Sequence, residues 1–346
     1  MRPILKEITP DAKSVKLAQI GYSRLMRLIL TLLLLPACAF SATLVPPPGF
    51  VKTQPHTLSG KCIPLPAPYT GDLQFRSKYE GSDSARATLN PQAQQDFRAE
   101  TKVITDYERG ISEMVWRYKQ SGDVKTRDCV LAGFNRWANA EALTSTQTNH
   151  TGRAMRKWAL ATLATSWIEL GANVQDSPQV ERWLSRLADQ VVEDWDGLPL
   201  SKTNNHSYWA AWSVMAASVA LNRQDLFDWS LKEYRIAASQ IDEHGELPNE
   251  QKRGARAGAY HNYALQPLVM IASFAHANKR DVTQENHGAL ARLASNVLTQ
   301  DSANDDWLEP YCGLIKCDTV TIKRRDSQRP IKNRRLGGQL TLIYKD

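Results

Sequence analysis

Two segments of the chain, SYWAAWSVMAASVAL (207–221) and AGAYHNYALQPLVMIASFAHA (257–277), are apolar around nearly the whole circumference of a helix. A helix of that kind has to be enclosed by other protein, whereas an amphipathic helix covers a core and meets water. Each is followed by an amphipathic partner, DLFDWSLKEYRIAASQI (225–241) and GALARLASNVL (288–298). Upstream, WALATLATSWIEL (158–170) has helical apolar spacing. Ser177-Pro178 then supplies an N-cap and a first-turn proline for a helix whose Val180, Trp183, Leu184, Leu187, Val191 and Val192 keep the same period. Inner-then-outer segments at steps of roughly 25 residues describe helical hairpins laid side by side. Closed round, they predict an all-α chain: an α/α toroid, or incomplete α/α barrel, with a central cleft lined by inner-helix ends. A plain bundle is the alternative arrangement. Only LGGQLTLIY (336–344) reads as strand-like.

The N-terminus reads as an address. Arg24 and Arg27 precede LILTLLLL (28–35), and Pro36 and the small-residue run ACAFSA follow. These features make residues 1–42 a secretory signal peptide, with Met26 a second candidate start and Leu35-Pro36-Ala37-Cys38 an atypical lipobox. No other stretch reaches the about 18 apolar residues of a membrane span. Residues 43–346 are therefore expected as one domain exported to the periplasm, without stable membrane insertion. Of the net charge of +7, residues 1–42 carry +4. The remaining +3 is far from a nucleic-acid binder's imbalance. Export leaves Cys62, Cys129, Cys312 and Cys317, for which Cys312–Cys317 with Cys62–Cys129 is the economical pairing. A zinc site lacks any CxxC or HxxxH spacing to support it.

The segments before the helices are of three kinds. Residues 43–70 are proline-rich and suggest an extended arm over the domain; 71–90 are polar, charged and Gly/Ser-punctuated, a loop. Polar clusters occur at helix entries. Asn204, Asn205 and His206 directly precede the apolar helix at 207, which is either a capped helix start or a site for an anion or a proton. Arg253 and Arg256 precede Tyr260, His261 and Tyr263; on a continuous helix Arg253 and Tyr260 would share a face two turns apart. Tyr263 and His261 are expected to be structural. An arginine beside a tyrosine would favour the phenolate and lower its pKa from about 10. Ser77, Lys78, Tyr79 and Arg86 sit in the loop, and His150, Thr151, Arg153 and Trp158 open another helix. Cations and rings recurring at helix entries suit an acidic sugar polymer. Ten tryptophans against seven phenylalanines add a hint of sugar platforms.

FRSKYEGSDSAR, NHTGRAMRKWAL, LPLSKTNNHSYWAAWSVMAASVA, DLFDW, LPNE, AYHNYALQPL, WLEPYC and RLGG closely resemble the periplasmic mannuronate-specific alginate lyases of polysaccharide lyase family 5. The likeness runs from about Leu44 to the C-terminus. It implies an α/α toroid and endolytic cleavage of polymannuronate by β-elimination, giving oligosaccharides with 4-deoxy-hex-4-enuronosyl ends, without a metal or other cofactor. It also implies Asn205, His206, Arg253 and Tyr260 as catalytic residues. Ser77, Lys78, Tyr79, Arg86, His150 and Thr151 are expected to bind substrate, with 71–90 a lid. β-Elimination removes a weakly acidic C5 proton beside a carboxylate, so that carboxylate has to be neutralised first; Asn205 and Arg253 are the candidates, assisted by His206. In mannuronate the C5 hydrogen and the O4 leaving group lie on one side of the ring, and Tyr260 could serve as base and then acid. The rivals are a toroidal glycoside hydrolase, for which Asp305, Asp306, Glu309, Glu246 and Glu250 are available, and a non-catalytic polysaccharide-binding scaffold. An exported lyase is also compatible with a periplasmic alginate secretion complex.

Overall fold

A computed structural model describes residues 43–345 apart from 58, 84–85 and 301–303. The expected signal peptide, the lipobox and Cys38 lie outside the described residues.

After a short helix α1 (Pro91–Glu100), four hairpins follow: α2 (Lys102–Ser121) with α3 (Val124–Asn139), α4 (His150–Glu169) with α5 (Pro178–Trp195), α6 (Asn205–Leu221) with α7 (Gln224–Gln240), and α8 (Ala257–Ala277) with α9 (Glu285–Leu298). The first helix of each pair packs against the first helix of the next, α2 on α4, α4 on α6 and α6 on α8, while α3 touches α5 and α7 touches α9 outside them. This is the inner and outer layering of an α/α toroid. Nearly every residue of α4 and α6 is buried, which is why neither could show an amphipathic stripe. The C-terminal region carries α10 (Leu308–Leu314), α11 (Thr319–Ser327) and a two-residue strand pair, β1 (Lys332–Asn333) with β2 (Gly338–Gln339). Between the strands, a turn at Arg334–Leu336 packs on α4, α2 and α8 and fills the gap in the ring.

The helix boundaries have local causes. Asn149, Ser177 and Asn204 cap α4, α5 and α6 by accepting backbone N–H bonds from Gly152, Val180 and His206. At Gly152 a Cβ would lie 1.6 Å from Leu73 O, so only glycine lets the chain at Leu73 press against the start of α4. There Leu73 exchanges backbone bonds with Gln147 and Asn149. Gly338, at φ +90°, likewise leaves room for the Trp116 ring. One expectation is corrected. Strand structure in 336–344 stops at Gln339, and Leu340–Ile343 turn as a helix whose Leu340 and Ile343 reach the core. In α9, Asn286, His287 and Gly288 are left-handed, so the regular helix begins only after them.

Residues 43–70 form an arm rather than a domain. Phe50 is buried against Phe274, Lys119 donates to Gly49 O and Phe50 O, and Arg136 donates to Leu65 O and Pro66 O. Most of the tryptophan content proves to be packing: Trp137, Trp167, Trp209, Trp212 and Trp307 are fully buried and Trp183 and Trp195 nearly so, with Trp137 stacked on Tyr107 at 3.7 Å. The cysteines pair as expected, Cys62–Cys129 tying the arm to α3 and Cys312–Cys317 closing a short loop. Their sequence separations are 67 and 5. Loop closure predicts that Cys62→Ala/Cys129→Ala loses about 2–4 kcal/mol of unfolding free energy, and more than Cys312→Ala/Cys317→Ala. Denaturant melts of the two double variants measure this, and equal losses would contradict it.

Candidate active site

All ten residues singled out from the sequence line one cavity of about 460 Å³. Ser77, Lys78, Tyr79 and Arg86 come from the loop before α1, His150 and Thr151 from the first turn of α4, Asn205 and His206 from that of α6, and Tyr260 from that of α8. Three inner helices thus start at the cavity and direct their partially positive ends at it. Arg253, Arg256 and Arg335 join Lys78 and Arg86, giving, among the described residues, five cationic side chains and no carboxylate on the cavity wall. Grooves continue on both sides. One shares Arg86, His150, His206 and Arg253 with the cavity and adds Arg153, Lys202 and Lys252; the other shares Tyr263 and Arg335 and adds Arg109, Lys332 and Arg334.

Arg253 reaches Tyr260 by a route the spacing did not suggest. The chain breaks after the helical turn Pro248–Gln251, Gly254 adopts φ +56°, and a 3-10 turn Gly254–Arg256 precedes α8. Arg253 and Tyr260 therefore share no helix, yet the Arg253 guanidinium lies 4.5 Å from the Tyr260 ring centroid and that of Arg256 at 5.3 Å. Tyr79 crosses from the loop, its hydroxyl 2.6 Å from Tyr260 Oη and accepting from Arg256 Nη1 at 2.7 Å. Burial and the Tyr79 hydrogen bond hold the Tyr260 phenol above its ordinary pKa of 10, and the two arginines only partly offset them. The expected lowering by arginine is thus outweighed, and the resting residue is a phenol.

Asn205 also differs from expectation. Its backbone N–H donates to Glu250 Oε1 at 2.6 Å and its side-chain nitrogen lies 3.0 Å from both Glu250 oxygens. The donors expected to meet a substrate carboxylate already hold a buried glutamate. Glu250 sits directly behind Asn205 and 4.0 Å from Arg253. Burial raises its pKa, opposed by the Asn205 bonds.

His206 is packed rather than free to swing. Its ring lies parallel to Trp195, with centroids 5.8 Å apart, and edge-on to His150 at 4.8 Å, while Nδ1 is 2.8 Å from Lys157 Nζ. Burial first, then the charge of Lys157, holds its pKa well below 6.5. His150, open to solvent on one side, is pushed down to about 4 by the buried part of its ring and by Lys157 and Arg86. Both imidazoles are neutral at pH 7. Lys157 and Arg335 are the residues sequence reading missed. The available signal was a lysine directly before the apolar run WALATLATSWI (158–168). Tyr263, expected to be structural, lines the cavity as well, while packing on Trp209.

The model of the alginate lyase family matches residues 74–307. An alginate lyase of Pseudomonas fluorescens Pf-5 is 50% identical over 88% of this chain and 91% of its own length. Those of Cobetia marina and Pseudomonas aeruginosa PAO1 are 48% and 47% identical over 88% of this chain and 90% and 91% of theirs. The chain belongs to the alginate lyase family. Lyase chemistry on alginate is the activity that this membership carries. Among solved structures, alginate lyase A1-III complexed with tetrasaccharide, as a histidine-to-alanine variant, superposes with a TM-score of 0.72 at 22% identity, covering 85% of this chain and 88% of that one. The A1-III structure from Sphingomonas species A1 gives 0.69 at 23%, covering 82% and 86%. The toroid is thus the fold of a solved alginate lyase.

As an alginate lyase the chain has no use for a hydrolase's carboxylate pair. Asp305 is held by Arg324, Glu309 by Arg329, and Asp306 by Asn333; none lines the cavity. The neutral histidines carry a consequence for stability. Their folded pKa values lie below the unfolded value of about 6.5, so below that pH unfolding takes up protons and stability falls. Urea melts at pH 7 and pH 5.5 are expected to show this loss, and His206→Gln to reduce it. An equal loss in the variant would contradict the buried neutral ring.

Proposed function

We propose that this alginate lyase cleaves polymannuronate endolytically by β-elimination, leaving 4-deoxy-hex-4-enuronosyl non-reducing ends. The observation that carries the reading is Tyr260 beneath two guanidiniums in a cavity whose described lining has five cations and no carboxylate. A polyuronate carries one carboxylate per sugar, and that wall offers each a partner. Arg253, with neutral His206 as hydrogen-bond donor, neutralises the carboxylate of the reacting sugar, which makes C5–H acidic enough to remove; a donor aimed at developing charge supplies about 3–4 kcal/mol. Tyr260 rests as a phenol, so its own proton first leaves to solvent, and the phenolate that results under Arg253 and Arg256 then takes the C5 proton. The electrons form the C4=C5 bond, the C4–O4 bond breaks, and the Tyr260 phenol returns the proton to O4. One group serves both halves only when H5 and O4 share a side, which favours mannuronate over guluronate.

The grooves on both sides of the cavity support an internal rather than terminal cut. The loop 71–90 acts as the lid: its base is tied at Leu73 and by Arg76 to Asp96 and Glu100, while Tyr79 reaches Tyr260. The N-terminal segment supports a periplasmic protein, compatible with an alginate secretion complex.

Incubation with separate polymannuronate and polyguluronate blocks tests the reading. The expected result is new ultraviolet absorbance from unsaturated ends, faster on polymannuronate, with viscosity falling ahead of the absorbance. Cleavage without that absorbance would indicate hydrolysis, and binding without cleavage a scaffold. Lys78→Ala is expected to raise KM several-fold, on the order of one lost exposed ion pair of up to about 1 kcal/mol. Unchanged kinetic constants would remove the loop from the site.

A further inference from the structure

Helix α4 carries a charged group that the reaction scheme does not use. Lys157 is fully buried two turns after His150. Its Nζ lies 2.8 Å from His206 Nδ1 and 3.7 Å from the Trp195 ring centroid, with the Trp158 ring at 5.3 Å. Trp195 is also the ring parallel to His206, so one indole supports both the lysine and the imidazole.

An ammonium has three donors and no lone pair, and it can meet a histidine nitrogen only by donating to it. The face of an indole is the best aromatic seat for a cation. Burial first, then Arg335, hold the Lys157 pKa well below its ordinary 10.5, and Asp194, at the end of α5, only partly opposes them; ammonium or amine, the nitrogen carries hydrogens to donate to Nδ1. We propose that Lys157 is a positioning residue that donates to His206 Nδ1 and so fixes the imidazole in the tautomer protonated at Nε2. This rests on the reading of the cavity as a lyase site. Nε2 is the nitrogen left for the cavity, and carrying hydrogen it donates to the uronate carboxylate. It has no lone pair for the C5 proton, which assigns that proton to Tyr260. The reverse arrangement, a neutral lysine accepting from Nδ1–H, would leave Nε2 a lone pair and make His206 the base.

The test is the 15N spectrum of histidine-labelled full-length protein without substrate, with the His206 signals assigned by their loss in His206→Gln. The expected result is hydrogen on Nε2 and none on Nδ1; hydrogen on Nδ1 overturns the proposal. Lys157→Met keeps the length and the contact with Trp195 while removing the donor. It is expected to leave KM within about threefold, lower kcat about 10–100-fold, as loss of a partner that orients a histidine does elsewhere, and mix the two tautomers. A folded Lys157→Met protein with wild-type kcat or an unchanged tautomer overturns the proposal. If that variant does not fold, the wild-type spectrum decides alone. A wild type without lyase activity refutes the functional reading and leaves the tautomer result standing.

Discussion

The site depends on three inner helices, α4, α6 and α8, beginning at the same place. Each N-terminus leaves backbone donors without intrahelical partners and a partial positive charge. Enclosing these ends requires inner helices that are apolar on every side, and outer helices that screen them. α6 is the clearest case, with Asn204 capping it and Glu250 accepting from the next backbone N–H. The layering that defines the toroid and the electropositive cavity are therefore one arrangement. His150, Asn205, His206 and Tyr260 all occupy first turns because those turns are where the inner ring opens.

Charge in the cavity is one-sided by construction. Arginines supply the positive potential, the histidines are held neutral by burial and neighbouring cations, and Tyr260 rests as a phenol. Among the described residues no carboxylate lies on the cavity wall: Glu250 is withdrawn behind Asn205 and Asp194 is paired with Arg156. A polyanion thus meets donors on the cavity wall without a competing acidic side chain. The same burial that neutralises His206 suits it to donate a hydrogen bond rather than to carry charge.

The layering was legible in the sequence because fully buried and half-buried helices differ in pattern, as 207–221 and 225–241 do. That these ten residues would gather in one cavity was legible from polar clusters at helix entries and family likeness. Three things were not. Gly254 breaks the helix between Arg253 and Tyr260, and spacing alone gives no sign of such a break. The contest between burial and arginine at Tyr260 depends on how deep the ring sits and on Tyr79 arriving from 181 residues away. Lys157 was hidden inside a run whose other residues behave as core; a buried ammonium is recognised only by what surrounds it, here Trp195 and His206.

The central claim is that one phenolic oxygen performs both halves of the elimination. Tyr260→Phe deletes that oxygen and keeps the ring that packs against Arg253 and Arg256. Polymannuronate affinity and turnover measured together on this variant give the most direct test. The account predicts affinity close to wild type and turnover lower by about 10²–10⁴-fold or more, the range of general acid–base catalysis. Turnover near the wild-type rate, with affinity retained, would contradict it and pass the C5 proton to His206.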